Sequence, residues 1–179
     1  MKYMQLLELA KPYLAKNDLG AEHTLRVLDI AKKNYGKYDL DETWKDIVFS
    51  LVVLHDIGGP TVKEQYEKGP VIAKKLLEKL GYHSFDIKLI CGFIQRHHER
   101  LNEPHEIFKI LFDSDRLVMF SEEEFNHYNS RPNFDWNSVI DSFYHNDLKE
   151  TAKKLITIKC HLNAQDKTPE IGNQKTSMN

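Results

Sequence analysis

The sequence predicts an all-α fold, a bundle of helices around one core. Apolar residues recur at spacings of three and four along most of the chain, the period of a helix with one buried stripe. Nothing reads as a β-hairpin, a βαβ unit or an internal repeat. The chain has 179 residues, 41% of them apolar and 29% charged, enough to build a real core in one folded domain.

Each helix follows from its stripe and its punctuation. Tyr3, Leu6, Leu7, Ala10 and Leu14 mark the first, with Pro12 expected to kink or divide it. Asn17-Asp18-Leu19-Gly20 reads as a loop, the second helix as residues 21–35, and 36–41 as a connector. The third covers 42–56 and stops at Gly58-Gly59-Pro60. Gly69-Pro70 is expected to open the fourth, because Pro suits a first-turn position, and Gly81 to close it in a left-handed cap. Ser84 caps a fifth helix to about residue 99, and a sixth runs from 104 to 120. The stretch 121–137 is polar and irregular, punctuated by Pro132. One long last helix is expected over 138–162, on Val139, Phe143, Leu148, Ala152, Leu155 and Ile156. The domain is therefore read as residues 1–162, with a polar, aperiodic and disordered tail at 163–179.

Composition narrows the function classes. A formal charge of −2 and the lack of a Lys/Arg strip give no electrostatic reason to expect nucleic acid. No apolar run approaches the roughly 20 residues that span a bilayer, and the N-terminus lacks the apolar stretch of a signal peptide. Cys91 and Cys160 lie inside helical patterns without a C-x-x-C partner, which suits reduced thiols in a cytoplasmic protein. The unusual count is histidine, at nine.

Placing the polar residues on helix faces selects four for a metal. Trp44, Val48, Leu51 and His55 are spaced by four, three and four, so His55 ends a buried stripe. Asp56 extends the neighbouring row four residues after Val52, where a carboxylate is costly unless a cation or hydrogen bonds compensate. His23 shares a face with Val27, Ile30 and Ala31, and His97 and His98 end the inner edge of the fifth helix. On the sixth, Asp115 lies with Phe108, Leu111 and Val118, whereas Asp113 falls with Lys109 and Arg116 on a polar stripe and reads as a surface residue. Two histidines and two carboxylates suit Mn, Fe, Co, Ni or Mg better than a thiolate zinc site.

These residues sit in motifs. Glu22-His23-Thr24-Leu25-Arg26-Val27, Leu54-His55-Asp56-Ile57-Gly58, His97-His98-Glu99 and Asp113-Ser114-Asp115-Arg116-Leu117 follow in order. In this the chain resembles the HD-domain superfamily of metal-dependent phosphohydrolases, with a motif core over 21–120. The resemblance implies an HD-domain-like helical bundle around a buried mono- or binuclear metal site. It also implies hydrolysis of a phosphomonoester, phosphodiester or nucleotide; the mechanism expected for that chemistry is in-line attack of water activated at the metal. Carried over, His23, His55, Asp56 and Asp115 are the metal ligands, and Asp56 also orients or deprotonates the water. His97 and His98 are left for a second ion or for substrate. Arg26 and Lys63, then Arg96 and Arg100, are the cations considered for the phosphate, while His127, Tyr128 and His145 are taken as ordinary structural or surface residues.

Two departures from the resemblance set up a rival. Gly59-Pro60 follows the His-Asp-Ile-Gly segment where many relatives have Lys, and Gln65 stands where binuclear relatives place a histidine. Both would suit a metal-binding sensory or scaffold domain with little hydrolase activity. The expected partner on the main reading is a small phosphorylated substrate, such as a nucleotide. Membrane and nucleic acid are not expected, and homo-oligomerisation is left open.

Overall fold

The structure, a computed structural model, describes residues 1–165, with side chains through residue 159. Among these it contains helices and no strand: α1 (Lys2–Leu14), α2 (Gly20–Asn34), α3 (Lys45–Leu54), α4 (Val62–Lys79), α5 (Ser84–Ile94), α6 (Glu106–Val118), α7 (Phe125–Asn129), α8 (Trp136–Ser142) and α9 (Asn146–Gln165). Short 3-10 turns at Tyr35–Lys37 and Glu42–Trp44 link α2 to α3. None of the described helices is long and apolar enough to cross a membrane.

The bundle is organised around α3. Every residue from Val48 to Leu54 is buried, and a helix apolar on all sides must be surrounded. Helices α1, α2, α5 and α6 pack on it, while α2 lies along α6 and α4 along α5. Phe108 and Phe112 of α6, packed near Phe93 and Tyr144, and Phe120 just beyond α6 are exposed by no more than 1%. Each such side chain contributes on the order of 2 kcal/mol through burial.

Where local chemistry and expectation part, side-chain capping or a long-range contact decides. Helix α4 begins at Val62, well before Gly69-Pro70, because Thr61-x-x-Glu64 is a capping box. Glu64 N donates to Thr61 Oγ1 at 3.3 Å, and the threonine hydroxyl donates back to Glu64 Oε2 at 3.0 Å. Pro70 therefore lies inside α4, as Pro12 lies inside an undivided α1. Gly81 has φ +66° and closes α4 as expected, with Gly81 N donating to Glu78 O and Tyr82 N to Leu77 O in a Schellman pattern. Helix α5 is capped by His83, not Ser84. Part of the irregular 121–137 stretch forms α7. The disordered-tail reading lies outside the described residues from 166 on, and residues 163–165 still belong to α9.

The last helix is not one helix but two, and the cause is Asp113. This residue is not on the surface: it has 0% exposure and turns between α6 and the break at residues 143–145. Its Oδ1 accepts from Tyr144 N at 2.9 Å, and its Oδ2 from His145 N at 3.1 Å and His145 Nδ1 at 2.9 Å. Those amides bond a carboxylate and not a preceding turn, so α8 ends and α9 starts afresh. Lys109, placed with Asp113 on a polar stripe, pairs with Glu106. Asp113→Ala would strand two amides and cost about 3 kcal/mol, read as a lower urea midpoint with unchanged slope.

The turn after His55-Asp56 is equally constrained. A Cβ at Gly58 would come within 2.5 Å of Gln65 Cα and closer still to the Glu64 carbonyl oxygen. The obstacle is the backbone of α4, which cannot swing away. Gly58→Ala is expected to lose on the order of 3 kcal/mol in the same unfolding measurement.

Candidate metal centre

Four side chains from three parts of the chain meet at one point. His55 is the residue that closes α3, and Asp56 follows in the turn held by Gly58. His23 lies in the first turn of α2, and Asp115 comes from the second half of α6. His23 Nε2 lies 3.3 Å from His55 Nε2, 3.2 Å from Asp115 Oδ1 and 3.7 Å from Asp56 Oδ2. His55 Nε2 lies 3.6 Å from Asp56 Oδ2 and 3.7 Å from Asp115 Oδ1. Donors bound about 2.1 Å from a shared divalent ion are separated by roughly 3.0–3.5 Å.

Hydrogen bonding on the far side of each ring shows which way the lone pairs face. His55 Nδ1 is 2.7 Å from Val52 O, an acceptor, so it carries the ring proton and Nε2 bears a lone pair. His23 Nδ1 lies 3.1 and 3.0 Å from the two oxygens of Glu124, which fixes its proton in the same way. Two imidazole lone pairs and two carboxylates then face one another with no donor among them. A cation, or a proton on a ring, has to be there.

The proton affinities agree. Burial works against a charge on His23, but its hydrogen bonds to Asp115 and Glu124 outweigh it and raise its pKa to about 10. His55, wholly enclosed, is pushed down by burial. Burial alone would raise Asp56 and Asp115, yet the surrounding histidines hold both well below the usual carboxylate range.

Asp56 also faces a second group. Its Oδ1 is 3.1 Å from His97 Nε2, and His97 Nδ1 is 2.8 Å from Ile94 O, so this ring too turns a lone pair inward. His98 Nε2 instead meets Gln65 Oε1 at 2.7 Å. Burial and the neighbouring His97 hold His98 down to about 4, so it is neutral at pH 7. Asp56, His97 and His98 form a second cluster able to hold an ion, with the Asp56 carboxylate shared between the two.

The cluster opens into a cleft of about 420 Å³. His23, Asp56, Asp115, His98 and Gln65 form its floor, the 17–20 loop one wall, and Tyr128, Arg131 and Phe134 another. Asn17 Nδ2 donates to the Asp56 carbonyl at 2.9 Å and ties that loop to the site. Tyr128 lines the cleft, and burial, with Asp115 and Glu124 nearby, pushes its phenol up.

Several cations are not where the sequence suggested. Arg26 does not line the cleft; its Nε and Nη2 donate to Glu124 Oε1 at 2.8 and 2.7 Å. Lys63 is exposed and outside the cleft. Arg96 pairs with Glu99 on the surface, and Arg100 donates to Ser142 O and lies over the Tyr144 ring. The cleft's own guanidinium groups are Arg116 and Arg131. Arg116 is consumed by Ser142 Oγ and the His98 and Phe112 carbonyls. Arg131 lies 4.6 Å over the Tyr128 ring and donates to His127 Nε2 at 2.6 Å. His127 and Tyr128, read as ordinary residues, are thus cleft residues, whereas His145 is structural through Asp113. Glu124 was missed, and nothing in Glu122-Glu123-Glu124 separates it from its neighbours except its place before the buried Phe125.

The HD domain family model matches residues 20–119, more than half the chain. The chain belongs to the HD-domain family. A solved structure of a predicted HD superfamily hydrolase from an uncultured Thermotogales bacterium shares the fold, with TM-score 0.67 at 18% identity over 92% of this chain and 91% of that one. No curated protein matches the chain significantly. HD domains bind divalent metals, and this HD domain has His/Asp clusters able to hold one.

The protonation pattern gives a metal-binding signature. The raised pKa of His23 adds stability to the metal-free protein that is complete below 6.5 and is lost as pH rises through about 10. An ion at Nε2 must displace that proton. Mn²⁺ binding at pH 8 is expected to release about one proton, read by calorimetry in buffers of different ionisation enthalpy. Zero release would contradict a ligand role for His23.

Proposed function

We propose that this HD domain is a metal-dependent phosphohydrolase acting on a phosphomonoester, phosphodiester or nucleotide. One observation carries the reading: His23 and His55 Nε2 lie 3.3 Å apart and each within 3.2–3.7 Å of an Asp56 and an Asp115 oxygen, and His23, Asp56 and Asp115 line a cleft large enough for a small organic phosphate. His23, His55, Asp56 and Asp115 are the residues that would hold the ion. A divalent ion there supplies Lewis acidity, polarising a phosphoryl oxygen and acidifying a water molecule.

The rest of the chemistry falls to the chain's own groups. Asp56 carries one oxygen towards His23 and His55 and the other towards His97, so it is placed to orient an attacking water or take its proton. The Tyr128 hydroxyl and Arg131 face the cleft as donors for the phosphoryl oxygens, replacing Arg26 and Lys63 in that role. Leu19, Pro60, Val62, Met119 and Phe134 offer apolar surface for the organic part of the substrate.

The decisive assay uses metal-loaded protein and a panel of phosphoesters and nucleotides. Asp56→Ala is expected to lower kcat/KM by at least about 100-fold, since deleting a ligand should exceed the effect of deleting a partner behind one. Background rates in both wild type and variant would favour the sensory or scaffold role instead.

A further inference from the structure

Glu124 is the buried carboxyl group that the proposed chemistry leaves unused. It has 0% exposure, stands immediately before α7, and is separated from His23 by 101 positions. Both of its oxygens address a single atom, His23 Nδ1, at 3.1 and 3.0 Å. Its Oε1 also accepts from Arg26 Nε and Nη2 at 2.8 and 2.7 Å. A carboxylate cut off from water is costly unless a cation and hydrogen bonds satisfy it. Arg26 meets that need from the turn of α2 after His23, so both of Glu124's partners come from one helix face.

We infer that Glu124 is a positioning residue for the metal, which keeps the proton of His23 on Nδ1 and commits its Nε2 lone pair to the cluster. The inference rests on reading that cluster as a metal centre. An unrestrained neutral imidazole divides between two tautomers and turns about its side-chain bonds; a carboxylate acceptor at Nδ1 removes both freedoms. His55 and His97 obtain the same restraint from backbone carbonyls one turn back, Val52 O and Ile94 O. His23, in the first turn of α2, takes its acceptor from a distant segment. Arg26, with two hydrogen bonds to Oε1, holds the carboxyl group in place as the acceptor for Nδ1. Fastening His23 to Glu124 also fastens the metal site to α7, which carries the cleft residue Tyr128.

The competing role for Glu124 is a plain ion-pair clasp between α2 and α7, and metal binding separates the two. Full-length wild type, Glu124→Ala and Glu124→Gln would be titrated with Mn²⁺. The visible spectrum of each Co²⁺ form and the imidazole ¹⁵N spectrum of each Zn²⁺ form would then be recorded. Glu124→Ala is expected to weaken Mn²⁺ binding roughly 10–100-fold and to change the Co²⁺ band. Glu124→Gln, whose amide oxygen still accepts from Nδ1, should lose at least roughly threefold while keeping the wild-type tautomer. A folded Glu124→Ala protein with wild-type affinity and spectra would overturn the inference. So would a Zn²⁺-loaded wild type lacking a proton on His23 Nδ1, or a wild type that binds no metal. Should Glu124→Ala fail to fold, Glu124→Gln decides alone, and wild-type affinity there overturns the role. Wild-type protein that binds metal but hydrolyses nothing would defeat the hydrolase reading while leaving these binding results standing.

Discussion

Electron-pair donors forced together so closely that a proton or a metal ion must sit among them are the constraint on which the rest of the structure turns. His23 Nε2, His55 Nε2 and the facing oxygens of Asp56 and Asp115 repel one another unless a positive charge sits among them. They are kept there from behind. Val52 O and Glu124 hold the two rings, Ile94 O holds His97 in the same sense, and Asn17 clamps the Asp56 backbone. The helices that bear them are anchored by apolar burial on α3. The hydrophobic core therefore supplies the force that holds mutually repelling groups in register.

The same economy of position governs α6. Asp113 and Asp115 are two residues apart, so they point in opposed directions and do unrelated work. Asp115 reaches the cluster, whereas Asp113 accepts the amides that open α9 and so sets where the chain turns after α8. Arg116 between them is occupied by carbonyl and hydroxyl acceptors, whereas Arg131, the other guanidinium lining the cleft, bonds only His127 among the described residues.

Much of the frame was legible because helix periodicity is a local property. The all-α class and the convergence of His23, His55, Asp56 and Asp115 follow from stripes that continue into the motif residues. The errors share a different origin. Asp113 lies on a polar stripe only if its neighbours are those of its own helix, and its actual partners are 31 and 32 positions away. Arg26 sits beside His23 and looks like a substrate cation until the buried carboxylate of Glu124, 98 positions on, takes its charge. The late start assigned to α4 is a simpler omission, since Thr61-x-x-Glu64 was visible as a capping box.

By itself the sequence determined the helical class, the four inward-facing candidates and the order of the HD motifs, because apolar spacing and short motifs are written in neighbouring residues. Tertiary structure alone decided the second carboxylate behind His23, the burial of Asp113, the cleft wall of Tyr128 and Arg131, and the break between α8 and α9. Those features depend on which distant polar groups are brought into the same water-free space. A charge or an amide there must find whatever partner the packing of the whole chain has placed within reach.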